Sequence, residues 1–180
     1  AVYWLIQDFG APAQAGFSIG GRIMQSIFMP TMAIAFAVGP IIGQNFGAGK
    51  FDRVRETFQS GIILSSVVMF ITTVIMQWRP EVLVMIFTDD AEVIEVGAIF
   101  LQLISLNFVA QGIVFTCSGV FQGLGNTRPA LFSSGVRILI FIPIALYVRY
   151  QPDFSINMVW YISILSVTAQ AIVSFLLVRR

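Results

Sequence analysis

Four stretches of this sequence, Ile23–Ile42, Ile62–Trp78, Val96–Val120 and Met158–Val178, run without a charged residue, and a fifth, Pro129–Val148, carries only Arg137. An α-helix rises ~1.5 Å per residue, so about 20 such residues cross the hydrocarbon of a bilayer. Lipid offers no partner to backbone polar groups, which leaves helices or closed barrels as the spanning structures. A barrel strand alternates apolar and polar positions over about ten residues, and the sequence has no such alternation. The expected fold is therefore an all-α integral membrane protein, a polytopic helical bundle with five full spans. Composition agrees, since 11% of the residues are charged, against about 25% in a soluble domain.

Punctuation sets the boundaries. Helices are expected over residues 13–42, 53–78, 91–120, 129–148 and 156–178. The opening AVYWLIQDFG runs apolar to Ile6 and stops at Gly10, so it reads as the end of a sixth helix and the chain as a fragment. No basic stretch precedes its apolar residues, as a cleavable signal peptide requires. The small residues of APAQAGFSIGG allow close helix packing. Arg79 and Pro80 close the second span. The apolar residues from Val82 to Phe87 are too few to cross and suit an interfacial helix. Asp89 with Glu92 has the spacing of a capping box before the third span. Pro30 and Pro143 lie inside spans, where a missing N–H bends the helix, and are the candidate hinges.

The stretch GQNFGAGKFDRVRET joins the first two spans. Its glycines reach φ > 0 at little cost, with Gly43 placed to end one helix and Asp52 to cap the next. Gly43, Gln44, Asn45, Gly47 and Gly49 are thus expected to form the turn. A phosphate-binding loop is excluded, because Gln44 stands where it needs glycine, Phe51 where it needs Ser or Thr, and no strand leads in. GLGNTRP is the second tight turn, with Asn126 or Thr127 as cap and Pro129 in the first helical turn. Alternating crossings put Lys50, Arg53, Arg55, Arg128, Arg179 and Arg180 on one side and Arg22, Arg79 and Arg149 on the other. The positive-inside rule then places the first side, with the C-terminus, in the cytoplasm of a multi-pass protein of the cell's inner (plasma) membrane.

Polar residues inside the spans are the candidates for function. On the third span Asn107, Gln111 and Ser118 share a face at 100° per residue, with Gln102 to one side. Such a face turns from lipid toward other helices or a wet cavity, and interhelical hydrogen bonding and substrate lining both remain open. Arg137 stands ~12 Å into its helix, within reach of snorkelling to the interface or of anchoring an anionic group. The sequence has no histidine, so no catalytic dyad and no imidazole metal site can be built, and its carboxylates gather near helix ends. Neither an enzyme nor a metal centre is expected. Cys117, alone inside a span, suits a small packing residue. A net charge of +1 divided between two faces gives no nucleic-acid footprint. For an ion relay, Asp8 is the nearest candidate carboxylate, with capping as its other reading.

GQNFGAGKFDRVRET after a proline-bearing helix, then VLVMIFTDDAEVIEVGAIFL, GVFQGLGNTRPAL and the helix from Arg137 to Pro143, resembles the second half of the multidrug and toxic compound extrusion (MATE) family. The resemblance covers essentially all 180 residues. It implies the second six-helix lobe of a twelve-helix, two-lobe transporter: the end of helix 7 followed by helices 8 to 12. It implies export of organic, often cationic and amphipathic compounds in exchange for Na+ or H+ by alternating access, with no other cofactor. The partners implied are the bilayer, the first lobe and small organic substrates. Gln25, Asn107, Gln111 and Arg137 become the expected cavity contacts. One bacterial subgroup carries a coupling carboxylate on helix 10 at the position matching Gln111, which cannot titrate, so the coupling acid is expected in the first half. A lipid-linked saccharide flippase of the same superfamily and a non-transporting membrane assembly protein are the alternatives.

Overall fold

The computed structural model describes residues 10–151 and 156–179, which form helices joined by short turns with no strand among them. The opening nine residues, and with them Asp8 and the expected end of a sixth helix, lie outside the described residues. In chain order the helices are α1 (Gly10–Gly47), α2 (Phe51–Trp78), α3 (Pro80–Met85), α4 (Ala91–Ser105), α5 (Phe108–Gly123), α6 (Arg128–Arg149) and α7 (Ile156–Val178). α1, α2, α6 and α7 are each long and apolar enough to cross a membrane, and α4 with α5, bent by 56° at their junction, is long and apolar enough as a pair. The protein is a multi-pass helical membrane protein. The short α3 stands where an interfacial helix was expected, with Pro80 in its first turn.

Several boundaries differ from the sequence reading, and the expected helix over 91–120 is divided into α4 and α5. α1 does not stop at Gly43: Gly43, Gln44, Asn45 and Gly47 are helical, and the turn is Ala48, Gly49 and Lys50. The reversal is a Schellman closure in which Gly49 N–H bonds to the Phe46 carbonyl (3.0 Å) and Lys50 N–H to that of Asn45 (2.8 Å), with Gly49 at φ 71°. α5 ends in the same way, with Gly125 at φ 69° and Asn126 N–H on the Phe121 carbonyl at 3.0 Å. Gly43 serves packing instead, since a Cβ there would lie 2.9 Å from the Gly123 carbonyl oxygen. Capping also shifts. Lys50, not Asp52, precedes α2, and the cap of α4 is Asp90 rather than Asp89, its carboxylate accepting from Glu92 N–H (3.0 Å) and Val93 N–H (3.4 Å).

α1 runs beside the bent α4–α5 span for most of its length. Near one end Gly16 packs on Gly97 and Gly20 on the Phe100 ring, as the small residues there suggested. Near the other, Ala35, Gly39 and Gly43 face Gly119 and Gly123, so close that an added Cβ at either of the last two would fall on a backbone carbonyl of α1. Small residues at every fourth position let the two backbones meet, which is how helices associate where lipid is as apolar as their side chains. The main core gathers Met69, Met76, Val84, Leu101, Phe108 and Trp160, and a smaller one forms from Val38, Ile42 and Val120 toward the basic end. Cys117 is fully buried in α5.

Candidate functional site

The interruption between α4 and α5 is the least regular point inside the bundle. Neither proline nor glycine causes it, for the residues are Ile104, Ser105, Leu106, Asn107 and Phe108. Instead the Asn107 N–H bonds to Ile104, three residues back, at 2.9 Å, and side chains of α2 enter the ladder. Gln77 Nε2 donates to the Gln102 carbonyl (2.8 Å) and to Ser105 Oγ (2.9 Å). Thr73 Oγ1 lies 3.0 Å from the Ser105 carbonyl oxygen and 2.8 Å from its own Met69 carbonyl. Ser105 Oγ donates to the Gln102 carbonyl at 2.8 Å. The Gln102 carbonyl left by the bend thus accepts from α2, and the Ser105 carbonyl has the Thr73 hydroxyl beside it.

Asn107 sits at the N-terminus of α5 with 4% of its surface exposed. Its side chain makes no capping bond, and neither amide atom has a hydrogen-bond partner among the described residues. Thr31 Oγ1 on α1 and Gln170 Oε1 on α7 are likewise buried and unpartnered. Buried polar atoms normally find a partner, so these three groups on three helices stand out as unsatisfied among the described residues. Other interior polar groups are closed. Thr116 Oγ1 reaches Ser65 Oγ at 2.9 Å, which donates to the Ile62 carbonyl at 3.1 Å.

Of the four expected cavity residues, the structure joins two. Asn107 and Gln111 are one turn apart on α5, Gln111 N–H on the Asn107 carbonyl at 2.8 Å, with Gln111 half-buried. Gln25 is exposed on α1, and Arg137 is half-buried on α6, each on a different helix from the α5 pair. Gln102, expected beside that face, belongs to α4, beyond the bend. Pro30 and Pro143 lie inside helices assigned without interruption. Near Pro30, Phe28 meets the Phe108 and Phe115 rings edge-on at 5.3 and 5.8 Å, and Thr31 faces Gly112, about a turn past the break. The sequence reading missed the buried stripe of α7, Ser163, Ser166, Gln170 and Ser174. Its spacing of three and four residues was the available signal.

Comparison with known proteins bears on this site. The family model described as MatE matches residues 1–147. A probable multidrug resistance protein NorM of Thermotoga maritima is 32% identical over 129 residues, 72% of this chain and 28% of that protein. Multidrug export protein MepA of Staphylococcus aureus is 24% identical over 139 residues, 77% of this chain and 31% of MepA. The probable multidrug resistance protein YoeA of Bacillus subtilis is 20% identical over 161 residues, 89% of this chain and 35% of YoeA. The chain thus spans about a third of the length of these curated relatives. With the match covering most of its length, this bundle of apolar helices belongs to the MatE family, the multidrug and toxic compound extrusion transporters.

Proposed function

We propose that this chain is the second lobe of a secondary active antiporter that exports organic, often cationic and amphipathic compounds in exchange for Na+ or H+ by alternating access. The observation that carries the reading is the broken fifth span with the orphaned Asn107 amide at its bend. Discontinuous helices place polar groups and helix ends at membrane depth, where transporters hold their solutes. The multidrug names of the relatives supply the substrate class, and their greater length supports a first lobe as partner. Substrate contacts are assigned to Asn107 and Gln111, with Gln25 and Arg137 at the margins, and the coupling carboxylate to the first lobe. The charge count supports a cytoplasmic C-terminus in the inner membrane, which a C-terminal reporter that folds only in the cytoplasm tests. The decisive experiment is dye export by cells expressing the intact gene. Asn107→Leu with Gln111→Leu is expected to reduce export to the level of cells lacking the transporter, at equal membrane abundance; normal export by that variant refutes the assignment.

A further inference from the structure

The end of the bundle that carries Lys50, Arg53, Arg55, Arg128 and Arg179 holds a cavity of about 890 Å³. It opens between the first turns of α2 and the last turns of α5 and α7, with Phe46 of α1 at its rim. Two aromatic pairs wall it: Phe46 and Phe51 edge-on at 5.8 Å, and Phe58 of α2 against Phe175 of α7 at 6.0 Å. Phe46 and Phe51 are exposed. Arg55 and Arg179 are the charged residues of the lining, which includes no carboxylate. Arg179 Cζ stands 5.5 Å from the Phe175 ring centroid, so the guanidinium is held against the apolar wall. Arg55 has no ion-pair partner among the described residues, whereas Arg53 is already occupied by Glu56 at 3.0 Å.

We propose that this cavity binds one anionic phospholipid, its phosphate held by Arg55 and Arg179 and an acyl chain lying along the Phe58–Phe175 wall. A soluble phosphate gains nothing from four phenylalanine rings, and a lipid of zero net charge leaves two arginines without a counter-charge. Basic pockets between spans select acidic head groups on these grounds, and the planar guanidinium matches phosphate oxygens pairwise. The site is remote in sequence from the break at Asn107, and the inference does not depend on the export reading.

The test uses the intact native protein that carries this chain, freed of lipid in a neutral detergent and titrated by native mass spectrometry. The probes are dioleoyl phosphatidylglycerol, phosphatidylethanolamine with the same chains, and glycerol 3-phosphate. One arginine beside an acidic head group adds about 5-fold in affinity, so two give about 30-fold. Phosphatidylglycerol is expected to be retained about 30-fold more tightly than phosphatidylethanolamine. Arg55→Gln with Arg179→Gln should abolish that preference, while Arg128→Gln, at the same end but outside the cavity, should leave it intact. Equal retention of the two lipids, an undiminished preference in the double arginine variant, or the same loss in Arg128→Gln overturns the proposal. So does glycerol 3-phosphate that displaces the lipid at matched concentration, since it would make this a soluble-anion site.

Discussion

If the α4–α5 bend is imposed by α2, removing the two intruding donors should straighten the span. Thr73→Val with Gln77→Leu leaves the Gln102 and Ser105 carbonyls without their interhelical partners. The remedy nearest to hand is the ordinary bond from four residues on, which requires a continuous helix. Spin labels at Glu92 and Gln122, both exposed, report the change. In a straight helix the 30 intervening steps span ~45 Å at ~1.5 Å each. With arms of ~20 and ~25 Å meeting at the observed 56° bend, the separation falls to ~40 Å. Pulsed dipolar spectroscopy in a cysteine-free background resolves that ~5 Å difference. The parent is expected near ~40 Å and the double variant near ~45 Å. Thr72→Val, which removes only a bond to its own helix at Val68, should not move the distance. A folded double variant that stays at ~40 Å refutes the argument and assigns the bend to packing against α1.

The seam between α1 and α5 gives a second test. Gly119→Ala gains about 1 kcal/mol of helix propensity but drives a methyl into the Ala35 carbonyl, where overpacking costs about 1–3 kcal/mol and the backbone cannot turn aside. It is expected to be less stable than the parent, whereas Gly47→Ala, with nothing within 4 Å, is expected to match or exceed it; the reactivity of buried Cys117 during thermal unfolding measures both. Asp90→Ala removes the acceptor for two N–H groups at the start of α4 and should lower stability by about 0.5–2 kcal/mol in the same assay. Asn107→Leu removes an amide that has no partner among the described residues, so its unfolding midpoint should hold or rise while dye export falls. A midpoint that drops with export would show that the amide is structural.

Much of the fold was legible because the bilayer leaves few options: uncharged runs of spanning length had to be helices, and their order followed. The failures are specific. Gly43 was read as a helix stop because glycine favours turns, but a glycine is equally the residue that lets two backbones touch, and only its neighbour Gly123 decides between these uses. Gly49, four residues before Arg53, took the left-handed conformation instead. The break at Ser105–Asn107 was invisible for a stronger reason. Its own residues carry no proline or glycine, and the groups that bond across it, Thr73 and Gln77, come from about 30 positions upstream. At the candidate site Asn107 and Gln111 were recognisable as amides at membrane depth, while their surroundings depended on that same tertiary contact.

The two ways in which this bundle coheres differ in stiffness. At the basic end α1 and α5 meet backbone to backbone through Gly39, Gly43, Gly119 and Gly123, a contact whose distances cannot change without being lost. At the break α2 and α4 are joined by Gln77 and Thr73 hydrogen bonds, and the Gln102 and Ser105 carbonyls that accept them have an alternative partner in a straight helix. Interhelical hydrogen bonds in membranes are worth only about 0.6 kcal/mol on average, so exchanging them for helical bonds is nearly neutral. On the proposed alternating-access reading, rearrangement is expected at the break in α4–α5, with the glycine seam moving as one body. Under that proposal the Asn107 amide, buried and without a partner among the described residues, is where a bound solute would favour one of the two forms.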